Sequence, residues 1–201
     1  MTSKIQICNR ALSAYLGASR INSLTEDNSR AKECNLHYDD VLQTVFETYD
    51  WTFARGRQIL AETENDRENE WAYKYIRPAS ALTIQWVNVG ETARYLIDRG
   101  ESPDTPREVF GEYVYSDVGY AACQFTKLIS DPSSYPAYFA NLVSAALAAN
   151  ICLALTENIK KAEFAYQQYE RLIDQAIMLD SANEYPVKHK SIPHHLKLRG
   201  L

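Results

Sequence analysis

The feature that most constrains this chain is a double change of hydrophobic period. Within residues 3–17, Ile5, Cys8, Leu12, Tyr15 and Leu16 recur at helical spacing, and Gly17 supplies a stop. After the polar connection "INSLTEDNS", Asp27 or Asn28 can cap a second helix over about 29–49. Its stripe is Ala31, Cys34, Tyr38, Val41, Leu42, Val45 and Tyr49. From 57 to about 126 the period shortens. "RQILAE", "WAYKYI", "LTIQWVNV", "ARYLID", "VFGEYVYS" and "YAACQFTK" are short, rich in Tyr, Val, Ile and Trp, and divided by charged or turn-rich pieces. None of those dividers is long enough for a parallel crossover, so the region is expected to be antiparallel. Helical period returns near Pro136. Residues 136–155 are almost wholly apolar or small. A last helix over about 158–182 carries Ala162, Tyr166, Tyr169, Ile173 and Ala176 as a seam.

Neither helix pair can bury its stripe alone, so the two pairs must pack together. The expected fold is α+β: a four-helix bundle, two helices N-terminal and two C-terminal, with an inserted antiparallel β region and an extended C-terminal arm. The expected divisions are 1–55 and 131–183 for the bundle halves, 56–130 for the insertion and 184–201 for the arm.

The bulk numbers remove some functions. A formal net charge of −5 argues against a general nucleic-acid or anionic-membrane binder, which needs clustered Lys and Arg. Fourteen tyrosines suit buried joints and protein interfaces alike. Cys8, Cys34, Cys123 and Cys152 show no CxxC spacing and read as free thiols acting as small hydrophobes. The opening residues have no signal-peptide pattern, and "AALAANICLAL", interrupted by Asn150, reads as too short to span a membrane.

The search for chemistry is negative. There is no GxGxxG, GxxxxGK[ST], HExxH, GxSxG or EF-hand loop, so no catalytic, metal or cofactor site is expected. His194-His195 are adjacent on the tail, which rarely converges on one ion, and His37 reads as solvent-facing or helix-paired. The enzymatic alternative is a glycan-acting hydrolase or an enzyme accessory protein using a carboxylate pair such as Glu108 and Glu112, or Asp39 and Asp40.

Two segments remain. In "ETYDWTFARGRQIL", Trp51 and Phe53 fall where the second helix gives way to the β region, followed by Arg55 and Arg57. A single-strand stacking platform would need more aromatics interleaved with a basic groove, so these four residues read as a packing joint between bundle and sheet. The tail holds Tyr185, Val187, Lys188, Lys190, Ile192, Leu196, Lys197, Leu198, Arg199 and Leu201, with Pro186 and Pro193 forbidding a continuous helix. It reads as a partner-binding arm, with basic groups for an acidic surface and leucines for shallow pockets.

The same residues carry a family resemblance. Asn9-Arg10-Ala11-Leu12, Leu16-Gly17, Ile21, the "DNSRA" segment Asp27–Ala31, Tyr38 and the Trp51-x-Phe53-Ala54 exit resemble the N-terminal half of the tail tubular protein A, or head-to-tail adaptor, family of short-tailed bacteriophages. "YKYIRPAS" resembles that family's entry to its sheet, and "YPAYFANLVSAALAANICLALT" its buried third helix. The resemblance covers most of the chain, in order. It implies a non-enzymatic virion protein, made in the bacterial cytoplasm and placed at the head–tail junction. There it would form a ring, typically dodecameric. The ring would meet the portal through the bundle and arm and the tail nozzle through the β region, and let DNA pass its lumen without specific binding.

Overall fold

A computed structural model describes residues 2–90, 92, 96 and 104–183. The fold is mixed α+β with two sheets. It divides into a helical unit, Met1–Arg55 with Thr126–Glu184, and a β unit, Gly56–Phe125. The arm expected over 184–201 lies outside the described residues, as does most of "ARYLID".

In the helical unit, α1 (Lys4–Arg10) opens with a reciprocal cap: Gln6 N–H donates to Ser3 Oγ at 3.3 Å and Ser3 N–H to Gln6 Oε1 at 3.2 Å. The helix widens into one π turn, Ala11–Tyr15, and ends at Gly17, whose φ of +66° a side chain would resist. Asn9 then fixes the following loop. Its Nδ2 donates to the Ile21 carbonyl and its Oδ1 accepts from Ile21 N–H, both at 2.8 Å. Asn28, not Asp27, caps α2 (Ser29–Glu47) by accepting from Ala31 N–H at 2.9 Å. The buried stripe of α2 is the one expected, except that Phe46 joins it and Tyr49 lies beyond the helix end.

Helix α3 (Ala137–Thr156) is the centre of this unit, with α1, the π turn, α2 and α4 all packed on it. At 20 residues it is long and apolar enough to cross a membrane, contrary to the expectation that no segment would be. Buried positions such as Phe139, Leu142, Val143, Leu147 and Ile151 fall on more than one side of it, so its hydrophobicity is met by its neighbours. Glu157 adopts a left-handed φ of +51° to end it, and Asn158 caps α4 (Ile159–Ser181) through Lys161 N–H at 3.1 Å.

On α4 the expected seam is met at Ala176, which is buried, and at Ala162, Tyr169 and Ile173, which are half-buried; Tyr166 is 55% exposed, and Ala165 and Asp180 are buried in addition. Alanine at two contact positions lets α4 approach α3 closely, which a tyrosine there would prevent.

In the β unit, β1 (Arg55–Ile59), β7 (Ala121–Lys127) and β4 (Ala81–Val89) make a three-stranded sheet in the order β1-β7-β4. A second, antiparallel sheet runs β2-β3-β6-β5: β2 is Ala61–Thr63, β3 Tyr73–Ile76, β5 Arg107–Phe110 and β6 Tyr113–Ser116. "VFGEYVYS", which reads as one strand, is a hairpin because Gly111 takes φ +59°. "RQILAE" is likewise divided: Leu60 leaves β1 and buries itself while its N–H donates to the Ala121 carbonyl at 2.8 Å. Leu60, Tyr75, Val87, Val114, Cys123 and Phe125 form the core.

Candidate functional site

Trp51 is fully buried in the helical unit. The chain turns there because α2 has ended at Glu47, and the indole Nε1 donates to the Val45 carbonyl at 2.9 Å, folding the exit back on the helix. Its ring meets Tyr49, Phe53, Tyr138 and Phe139 at centroid distances of 5.2, 6.5, 6.4 and 5.1 Å. Phe53 lies 4.9 Å from Phe139 and 6.0 Å from Phe46, mostly edge-on or tilted, as ring quadrupoles prefer. Arg55 ends this segment, with Nε donating to Asp50 Oδ2 at 2.8 Å. Arg57 belongs to the β unit, where its Nε donates to Gln124 Oε1 at 2.9 Å and its guanidinium lies 5.8 Å from the Trp86 ring centre. Trp51, Phe53 and Arg55 are therefore brought together and Arg57 is separately engaged. The residues expected to form the arm lie outside the described ones.

The residue that sequence reasoning missed is Asp180. Fully buried near the end of α4, it accepts from Thr52 N–H at 2.8 Å, Thr52 Oγ1 at 2.9 Å and Tyr138 OH at 2.6 Å. One carboxylate thus ties the exit turn, the start of α3 and the end of α4 together. Burial, and then the bond to Asp180, push the Tyr138 hydroxyl's pKa upward, so it stays a donor. A signal was present: Asp180 follows Ala176 by four residues on the buried seam, a position where an acid needs donors. Elsewhere in the helical unit, a groove of about 280 Å³ lies between α2, α3 and α4, with Val41, Val45, Ala146 and Ala149 beside Asp40 and Tyr169.

On the β unit a polar layer covers half of one sheet face. Register places Thr63, Lys74, Tyr115 and Glu108 in a row across all four strands. Asp66 and Arg67, from the loop before β3, close over it. Lys74 Nζ is 2.8 Å from Asp66 Oδ1 and 4.0 Å from the Tyr113 ring centre. Arg67 pairs with Glu70 and with Glu108 Oε1 at 2.8 Å, its guanidinium 4.9 Å from the Tyr115 ring centre. The hydrogen bond from Arg67 holds Glu108 below the usual carboxylate range, and the bond from Lys74 does the same for Asp66. A general acid needs the opposite shift. Glu112 lies in the β5–β6 turn, exposed, with its carbonyl accepting from Arg77 N–H at 2.9 Å. Of the other carboxylate pair, Asp39 is engaged by Lys4 at 3.0 Å.

His37 sits one helical turn from Glu33, Nε2 to Oε2 3.4 Å, and His194-His195 lie outside the described residues. No group of three or more His, Cys, Asp or Glu that could hold a metal occurs among the described residues.

Comparison with protein-family models finds no match, and none is found with curated protein sequences.

Proposed function

We propose that this chain is a structural virion protein, a head-to-tail adaptor whose copies form a ring between the portal and the tail nozzle of a short-tailed bacteriophage. The observation that carries the reading is the ordered set of adaptor-like segments, from Asn9-Arg10-Ala11-Leu12 through Trp51-x-Phe53 to the 135–156 segment. The geometry supports it in one respect: the helices drawn from both chain ends share one compact unit, and the β residues between them form another. In this reading the helical unit is a four-helix bundle that meets the portal, and the β unit faces the nozzle. Residues 184–201 are an extended arm that orders on the portal or the adjacent adaptor. The ring is a dodecamer with an acidic lumen that DNA slides past, consistent with the net charge of −5. The protein carries no catalytic role and needs no cofactor.

Deleting residues 186–201 tests this assignment. The melting temperature of the free subunit should stay nearly unchanged while binding to purified portal and incorporation into DNA-filled heads are lost or weakened. Wild-type portal affinity in the truncated protein would remove the arm from the account.

A further inference from the structure

The groove between α2, α3 and α4 has an apolar floor and acidic walls. Val41 and Val45 of α2 and Ala146 and Ala149 of α3 supply the floor. Tyr166 and Tyr169 of α4, their ring centres 6.3 Å apart, stand at one side. On α2, Glu33, His37, Asp40, Thr44 and Glu47 recur every three or four residues and so share one stripe, of which His37, Asp40 and Thr44 line the groove. On α4 the same spacing puts Glu163 and Glu170 on the stripe of Tyr166. Asp40, Glu47, Glu163 and Glu170 are exposed, and neither stripe holds a lysine or arginine. The space, about 280 Å³, suits a few side chains rather than a whole helix, which is about 10 Å across. A narrow, extended ligand with apolar side chains and positive charge satisfies floor and walls together.

This chain contains such a segment. After the last acid, Glu184, come Lys188, Lys190, Lys197 and Arg199, and in Leu196-Lys197-Leu198-Arg199 apolar and basic residues alternate strictly. We propose that the groove is the seat of residues 196–199 from a neighbouring copy of this chain, an assignment that rests on the ring reading above and gives its arm a receptor. Extended backbone turns successive side chains to opposite faces, so Leu196 and Leu198 enter the floor. Lys197 and Arg199 bend their long stems back over the rims to the acids. Pro186 and Pro193 favour an extended course, and at about 3.3 Å per residue the segment 185–201 spans roughly 55 Å, enough to cross to the next subunit. Arm and groove are different surfaces, so the contact is head-to-tail and repeats from copy to copy, closing into a ring where the rotation closes. An arm laid in its own groove leaves no link to the next subunit.

The test has two readouts, both on the full chain. In the first, the photoreactive p-benzoylphenylalanine replaces Tyr166, an exposed position, and this chain is irradiated with an equal amount of unmodified, isotopically heavy chain. Digestion after glutamate leaves residues 185–201 as one peptide, because Glu184 is the last acid. The α4 peptide carrying the probe should be joined to that tail peptide, heavy and light tails in about equal amounts. Light tails alone would mean that each arm lies in its own groove; that result, a link elsewhere, or no link overturns the proposal. In the second, a fluorescein-labelled peptide of residues 185–201 is titrated into the wild-type chain, which needs neither portal nor ring. Anisotropy should show binding that weakens with added salt and falls about tenfold for Asp40→Lys with Glu170→Lys, or for a peptide carrying Leu196→Ser and Leu198→Ser. Equal binding by all of these, or none by the wild type, contradicts the seat. Groove-specific peptide binding by a chain absent from the head–tail junction would fault the ring reading and leave the site. A junction ring whose arms link elsewhere would fault the site alone.

Discussion

The helical unit and the β unit use aromatic side chains in opposite ways. In the first, Trp51, Phe46, Phe53 and Phe139 pack ring against ring in a buried interior, and Asp180 enters with donors from Thr52 and Tyr138. In the second, tyrosines work on both faces of one sheet. Tyr75 packs into the core, while Tyr113 and Tyr115 on the opposite face hold Lys74 and Arg67 over their rings. Tyrosine's apolar face and polar tip allow both uses, so a tyrosine-rich sequence does not by itself say which face is inside. The buried cluster should be sensitive to lost volume, and the layered sheet to lost charge.

Trp51→Ala should have the largest effect. It removes a fully buried indole, its contacts to Phe53, Tyr138 and Phe139, and the bond to the Val45 carbonyl. The expected loss is about 3–5 kcal/mol, read by denaturant unfolding monitored by helical circular dichroism. A loss under about 1 kcal/mol would mean the cluster is not the core of this unit. Asp180→Asn comes next. The amide must turn a donor toward a group that already donates, Thr52 or Tyr138, so about 1–3 kcal/mol should be lost in the same assay. A neutral outcome would remove Asp180 from the set of residues that fix the exit.

Acid should act on the β unit through the charged layer. The folded-state pKa values of Asp66 and Glu108 are depressed. Their contribution is therefore complete above the ordinary carboxylate pKa of about 4 and is lost as pH falls through the lower folded values. Near-ultraviolet circular dichroism, which reads packed tyrosines such as Tyr113 and Tyr115 beside this layer, should report loosening below that pH. Asp66→Asn with Glu108→Gln should lower stability at neutral pH and flatten the acid profile; an unchanged profile would show that the layer contributes nothing. The smallest effect is expected from Glu108→Gln with Glu112→Gln on function: any glycan-degrading activity of the particle should be unaffected. A large loss in correctly folded double variant would favour the hydrolase alternative.

Much of the architecture was legible because period follows burial. The α2 stripe and the α3 span stand where the apolar residues put them, since α2 has one dominant buried face and α3 is buried on more than one side. Where a single residue decides the geometry, pattern was weaker. Gly111 turns an apparent strand into a hairpin, and Ala165 rather than Tyr166 takes the α4 seam because small size outweighs hydrophobicity there. Asp180 was hidden for a related reason: a search for apolar recurrence passes over a buried acid, and its donors, Thr52 and Tyr138, are distant in sequence. The pairing of Asp66 with Lys74 and of Arg67 with Glu108 depends on strand register, which composition does not specify.

The proposed role, a ring-forming component of the head–tail junction, is tested most directly by electron microscopy of particles labelled on this chain. Label should lie at the junction, between portal and nozzle, in a ring of rotationally repeated copies. Label elsewhere on the particle, or none on purified virions that package DNA normally, would contradict the account.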